Sequence, residues 1–173
     1  MKTTKPTQLM KRMIHAFKYA GSETELRRWR KIRSTPIIMR NFLIINLCKR
    51  LPASEFKNKL YRRIGMKIGK NVSIFGSNFD IFFPELIEIG DNTIIGQSNM
   101  FITHEFLQNE WHNGGIKIGK NVLIGTMVLV IPGVKIGDNS TIAAYSLVNK
   151  SVPKNSFVGG VPIKILGQHA EEN

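Results

Sequence analysis

Six positions constrain this chain more than any others. Ile118, Ile124, Val130, Ile136, Ile142 and Val148 are spaced six apart without a slip. The residue after each is Gly119, Gly125, Ile131, Gly137, Ala143 or Asn149, and the residue two before is Ile116, Val122, Val128, Val134, Ser140 or Ser146. Every member of that second set is β-branched or small. A helix repeats its buried face every 3.6 residues and a strand every 2, so neither produces a period of six. One inward aliphatic anchor per repeat, with a turn-permitting small residue beside it, predicts a solenoid with short flat faces. Each hexapeptide makes one face, and the small residue lets the chain turn to the next. Three faces close a coil of about 18 residues.

The repeat begins near Met66, with Ile68-Gly69 and Ile74-Phe75 one step apart. It breaks over Asp80 to Leu86, where Pro84 interrupts any simple strand, and resumes at Ile89-Gly90, Ile95-Gly96 and Phe101-Ile102. Residues 103–115, THEFLQNEWHNGG, do not fit it; from Ile116 it runs on to Val148, and Pro153 marks its end. The expected organisation is a basic helical segment over 1–65, a β-helix over 66–160 with a loop at 103–115, and a closing segment over 161–173. Loops that leave a solenoid and return to it commonly build its binding surface, so the chemistry is expected at 103–115.

Charge divides the chain in the same place. Residues 1–67 hold 18 Lys or Arg and 3 Glu, whereas 68–173 hold 7 Lys and 9 Asp or Glu. Residues 5–63 read as several helices. Ser22-Glu23-Thr24-Glu25 is a capping box before Leu26 to Arg33, Pro36 opens a second helix that Pro52 ends, and Ser54 caps a third that stops at Gly65. Three readings compete for this arm: a cap on the open end of the solenoid, a contact with an anionic membrane surface, and, disfavoured for want of any recognition motif, nucleic-acid binding. The single cysteine, Cys48, excludes an internal disulfide. No signal peptide and no long apolar run is visible, so a cytoplasmic protein is expected, in the second reading peripheral at the inner face of the membrane.

Ile118 to Pro162 resembles the C-terminal signature of the hexapeptide-repeat acyltransferases, in the words IKIGKNVLIG, VIPGVKIGDNSTIAAYSLV and VGGVPIKI. Over 66–166 the chain is similar to the galactoside, maltose and capsular-sugar O-acetyltransferases. The resemblance implies a left-handed parallel β-helix, mainly β, assembled as a homotrimer with sites between subunits. It also implies an O-acetyltransferase with acetyl-CoA as co-substrate, a sugar or cell-envelope saccharide as acceptor, and no metal. Such a reaction needs a base for the acceptor hydroxyl and a preorganised donor for the thioester oxyanion.

His104, where the repeat yields to the loop, matches the family's catalytic His. Gly125 and Thr126 match positions near the thioester, Ala143 and Ala144 positions beside the pantetheine chain, and Lys150 and Lys164 the contacts to the nucleotide phosphates. Asn99 stands either on the acceptor side or as an internal residue bonding turn backbone. Trp111 either closes over the acceptor or lies on the solenoid wall, and His112 reads as part of a solvated loop. Glu105, Glu110 or a backbone carbonyl could orient His104. Three alternatives stand beside this reading: an amine or antibiotic acceptor, a zinc-dependent anhydrase of the same fold, which lacks a third His here, and a non-catalytic trimeric scaffold.

Overall fold

A computed structural model describes residues 8–18 and 25–169. In chain order the elements before the solenoid are β1 (His15–Lys18), α1 (Glu25–Ile32), α2 (Thr35–Arg50) and α3 (Glu55–Arg63). Four coils follow. The first is β2 (Lys67–Ile68), β3 (Ser73–Ile74) and β4 (Asn78–Phe79), and the second is β5 (Ile87–Ile89), β6 (Ile94–Ile95) and β7 (Met100–Phe101). A hairpin of β8 (His104–Phe106) and β9 (Glu110–Asn113) then leaves the solenoid. The third coil is β10 (Ile116–Ile118), β11 (Leu123–Ile124) and β12 (Leu129–Val130), and the fourth is β13 (Lys135–Ile136), β14 (Thr141–Ile142) and β15 (Leu147–Val148). β16 (Ser156–Gly159) and β17 (Lys164–Gln168) close the chain.

The fold is a left-handed parallel β-helix of three sheets. The first sheet is β2, β5, β10 and β13; the second is β3, β6, β11 and β14, extended by β16 and β17; the third is β4, β7, β12 and β15. The period of six is the register itself. Ile118 pairs with Ile89 and Ile136, Ile124 with Ile95 and Ile142, and Val130 with Phe101 and Val148. All are buried, so each sheet sends one column of aliphatic side chains into a shared core. In the first coil Phe79, five residues after Ile74, takes the inward place, which leaves Asp80 to begin the break.

Turns carry their own order. Asn71, Asn92, Asn121, Asn139 and Asn155 have φ between 53° and 58°, the left-handed conformation that Asn tolerates better than most residues. Their amides form a ladder down the edge between the first and second sheets, each Nδ2 donating to the next Oδ1 at 3.0–3.2 Å.

Parallel coils bond along the axis, so the first coil has an edge with no strand beyond it. α2 and α3 cover it. Asn58 Nδ2 donates to Val72 O at 2.8 Å, Lys57 Nζ to Ile74 O at 2.9 Å, and Arg62 to Ile68 O and Gly69 O, both at 2.9 Å. Asn41 Nδ2 donates to Ile81 O at 2.8 Å. Ile45, Cys48, Tyr61 and Ile64 meanwhile join the aliphatic core. Lys57 and Asn58 are wholly buried, and burial pushes the Lys57 ammonium below its usual pKa, with the Cys48 sulfur acting the other way. Part of the basic arm is therefore a cap, the first of its three readings. Ser54 caps α3 as expected, its side chain accepting from Lys57 N. Of the capping box expected at Ser22, only Glu25 lies within the described residues, where it opens α1.

One expectation fails at the N-terminus. Residues 15–18 are not helical but a strand: β1 pairs antiparallel with β9, His15 opposite Asn113 and Lys18 opposite Glu110. Ahead of β1 the chain climbs the edge between the third and first sheets. Met10 exchanges backbone bonds with Ser151, and Met13 N donates to Gly133 O at 2.9 Å. Gly133 has φ +80°, and a Cβ there would lie 2.1 Å from Met13 O. No helix among the described residues is long and apolar enough to cross a membrane.

The cap can be tested through its polar bonds. Asn58→Ala leaves a buried strand carbonyl unpartnered and should cost about 1–3 kcal/mol in chemical denaturation. An exposed substitution such as Lys70→Ala should stay within about 0.5 kcal/mol.

Candidate active site

Asp80 organises the interruption. Its Oδ1 accepts from Phe82 N at 2.7 Å and Phe83 N at 3.3 Å, and its Oδ2 from Thr103 N at 2.8 Å. The same Oδ2 lies 2.5 Å from His104 Nδ1. The Asp80 side chain is 1% exposed and that of His104 15%. Burial alone would raise the Asp80 carboxyl. The hydrogen bond and charge of His104, with the N–H groups of Thr103 and Phe82, outweigh it and hold the group below its ordinary value. An ionised carboxylate only accepts, so Nδ1 donates its N–H to Asp80, and in the neutral imidazole the lone pair stands at Nε2. A base held in one tautomer by a buried acid can take a proton from a hydroxyl.

Aromatic rings enclose the imidazole. Phe82 and Phe106 centre 4.7 Å from it and Phe83 6.0 Å. Trp29 of α1 meets Phe82 edge-on at 6.2 Å. The expected loop is thus an ordered hairpin, with β1 as its third strand. Arg12 clamps Glu105 through both guanidinium nitrogens, at 2.9 and 3.1 Å. His112 Nε2 lies 2.9 Å from Glu110 Oε1, while its Nδ1 stands 3.7 Å from Glu105 Oε2. Neither glutamate orients His104: Glu105 is held by Arg12 and Glu110 by His112. His112 is only 12% exposed, so the solvated place expected for it gives way to this network.

The remaining expected residues separate. Asn99 is wholly buried; its Nδ2 donates to Gly96 O at 2.9 Å and its Oδ1 accepts from Val128 N at 2.7 Å, so its amide serves the turn. Trp111 is stacked between Phe17, at 4.4 Å, and Phe83, at 5.7 Å. Gly125, Thr126, Ala143 and Ala144 share the edge between the second and third sheets, in the turns after β11 and β14. A Cβ on Gly125 would lie 2.6 Å from Ala144 N, so coil stacking already demands glycine there. Lys150 follows β15 on the other edge, the one that carries His104, and Lys164 opens β17; both are exposed. Within one chain, the His104 corner and the Gly125 corner lie on different edges of the prism. Among the described residues no three His, Cys, Asp or Glu side chains gather as a metal site would require.

A family model described as bacterial transferase hexapeptide, six repeats, matches residues 115–150. The protein named "Putative acetyltransferase YvoF" of Bacillus subtilis (strain 168) is 40% identical over 142 residues, 80% of this chain and 83% of that one. The chain belongs to the hexapeptide-repeat acetyltransferases. The galactoside O-acetyltransferase of Escherichia coli (strain K12) is 39% identical over 108 residues, 57% of this chain and 52% of that protein. Among solved structures, the hexapeptide-repeat acetyltransferase VCA0836 of Vibrio cholerae matches with a TM-score of 0.64 at 24% identity, covering 82% of this chain and 94% of its own. A galactoside acetyltransferase in complex with coenzyme A matches at 0.61 and 22%, covering 90% and 87%. At such identities the structures speak to the fold alone.

In this hexapeptide-repeat acetyltransferase the residue that sequence reasoning missed is Asp80. Its signal was present: counting six from Ile68 and Ile74 lands on Asp80, a carboxylate where an aliphatic anchor belongs. Asp80→Asn keeps the shape but lets an amide N–H face the imidazole, so the tautomer is no longer fixed. The acetyl-transfer rate should fall about 100-fold or more with the fold retained. The sign of the acid effect follows from the lowered carboxyl. Its stabilisation is present above its ordinary 3.8 and is lost as pH falls through the lower folded value. Thermal unfolding from about pH 5 downward should show a larger loss in wild type than in Asp80→Asn, which keeps the contributions of the other lowered carboxyls such as Glu88 and Asp91.

Proposed function

We propose that the protein is an acetyl-CoA-dependent O-acetyltransferase acting on a hydroxyl of a sugar or cell-envelope saccharide precursor. The observation that carries this is the buried Asp80–His104 pair at the head of the hairpin. His104 Nε2 takes the acceptor's proton as its oxygen bonds to the acetyl carbon. The same imidazole returns that proton to the departing CoA sulfur, so the products are an acetyl ester and free thiol. The names of the galactoside O-acetyltransferase relatives support a saccharide acceptor.

The donor is assigned to the Gly125 edge, where the exposed Thr126 and Ala144 flank a narrow strip of backbone and a main-chain N–H there serves the thioester oxygen. Lys150 and Lys164 are assigned to the nucleotide phosphates. Because base and donor strip occupy different edges, the complete site needs a second copy, which supports a homotrimer with sites between subunits. The surface agrees. The first sheet is faced by Lys67, Glu88, Lys117 and Lys135, whereas Ile94, Leu123, Met100, Met127 and Tyr145 leave the other two sheets and their shared edge apolar and open.

A second reading concerns place. The outer face of α2 exposes Met39, Phe42, Leu43 and Leu47, and Phe56 of α3 joins them. Arg40, Lys49 and Arg50 are exposed on α2 and Lys59 and Arg63 on α3, and residues 26–54 contain no acidic residue. Apolar side chains ringed by cations suit the anionic inner face of a cytoplasmic membrane.

Thiol release from acetyl-CoA, screened over neutral glycosides, amines and serine, tests the activity. His104→Ala should lose about 10²–10⁴ in rate, and a variant retaining full activity would overturn the mechanism. Location is tested by co-sedimentation with phosphatidylglycerol vesicles at physiological salt. Wild type should pellet and Phe42→Ser/Leu43→Ser should not; failure of wild type to pellet removes the membrane reading and leaves the transferase intact.

A further inference from the structure

Trp111 is the aromatic residue that the sequence singles out for the acceptor, yet it stacks between Phe17 and Phe83, with interplanar angles of 16° and 11°. Rings so placed occupy its faces, and a sugar has none left to lie on. Different rings adjoin the His104 imidazole. Phe82 and Phe106 each centre 4.7 Å from the imidazole, tilted 47° and 66° to it, and 5.8 Å from one another, nearly perpendicular. Both are only half-buried. Asp80 holds Nδ1, so an acceptor must come in at Nε2. A hydroxyl bonded there lies about 3 Å from the nitrogen, on an imidazole that both half-buried phenylalanines flank.

We propose that Phe82 and Phe106 form the acceptor subsite, and that it selects a neutral hydroxyl compound with an apolar C–H face, a glycoside rather than a zwitterion; this rests on the transferase reading above. Charge supports the selection. The carboxylates of the neighbouring segments are already matched, Glu105 with Arg12, Glu85 with Arg33 and Glu110 with His112. The Asp80 carboxylate is spent on His104 and three backbone N–H groups. An amino-acid acceptor would bring an ammonium to a corner whose carboxylates, Asp80, Glu85, Glu105 and Glu110, are each paired. A pyranose brings C–H bonds, which pack on the ring faces, and hydroxyls, one of which meets Nε2.

The test uses the full chain, with methyl β-D-galactopyranoside and L-serine as probes and Phe82→Leu and Phe106→Leu as apolar, non-aromatic variants. In thiol release with acetyl-CoA, each variant should raise the glycoside KM about tenfold and leave the acetyl-CoA KM unchanged. If the two rings only steadied His104, kcat would fall at unchanged glycoside KM, and the proposal would be overturned. Saturation-transfer NMR gives a readout independent of turnover. Transfer to the glycoside C–H protons should persist in His104→Ala and weaken in both leucine variants. If wild type transfers acetyl to no acceptor, the transferase reading fails, and the NMR still decides the subsite: loss of glycoside contact in the variants supports it, and absence of contact in wild type overturns it. Serine turned over as well as the glycoside would overturn the selection even with activity intact.

Discussion

A parallel β-helix bonds along its own axis, and everything irregular in this chain answers to that constraint. Each coil satisfies the backbone of the next, so the middle needs only the period of six. At the first coil, and wherever the coil is broken, backbone groups lose their partners and must find others or be charged the full desolvation penalty. The chain meets the problem with side chains. Asn58, Lys57 and Arg62 donate to the carbonyls of the first coil. Asp80 collects the N–H groups of Phe82, Phe83 and Thr103, which the break around residues 80–86 would otherwise strand. The last coil is closed by backbone instead, through β16 and its antiparallel partner β17.

That repair is also what makes chemistry available. A carboxylate that accepts three backbone N–H groups is fixed in place and held ionised in a dry setting. Its remaining interaction is with His104 Nδ1. The residue that mends the solenoid therefore also orients the imidazole, and the tautomer of His104 follows from a structural need. Interruptions of repeat folds so often hold function because orphaned backbone groups call for polar side chains, and buried polar side chains have controlled protonation.

The solenoid was legible because its determinants are local and periodic: Ile118, Ile124 and Val130 announce their faces within six residues, and the coils above and below obey the same rule. Ser54, Pro36 and Gly65 were legible for a similar reason, since caps and stops depend on near neighbours. What could not be read depends on partners far away in sequence. Glu105 and Glu110 stood nearest His104 along the chain, yet the acid that reaches it is Asp80, 24 residues back. His15 to Lys18 form a strand only because β9 lies beside them, with Arg12 tied to Glu105 across 93 residues. Asn99 in an inward slot was visible as an anomaly, but whether it served a turn or a ligand depended on Val128 in the next coil.

The basic arm shows the same division between local signal and distant partner. Its charge looked like one property with one explanation, and the structure splits it. Lys57 and Arg62 point inward at strand carbonyls, Arg12 and Arg33 are matched to Glu105 and Glu85, and Arg40, Lys49 and Arg50 remain on the outer surface of α2 beside Phe42, Leu43 and Leu47. A cap alone accounts for the first group, and a clamp on the site for the second. Within the third group Lys49 still serves the cap, donating to Asn78 Oδ1 at 3.0 Å, and Arg40 holds the Asn41 amide. Neither role needs the large apolar side chains between them, which a helix serving only to cover a core would turn inward or replace with polar residues. The informative feature of α2 is therefore its exposed apolar row, Met39, Phe42, Leu43 and Leu47, which stands on the helical cap and not on the edge between the second and third sheets.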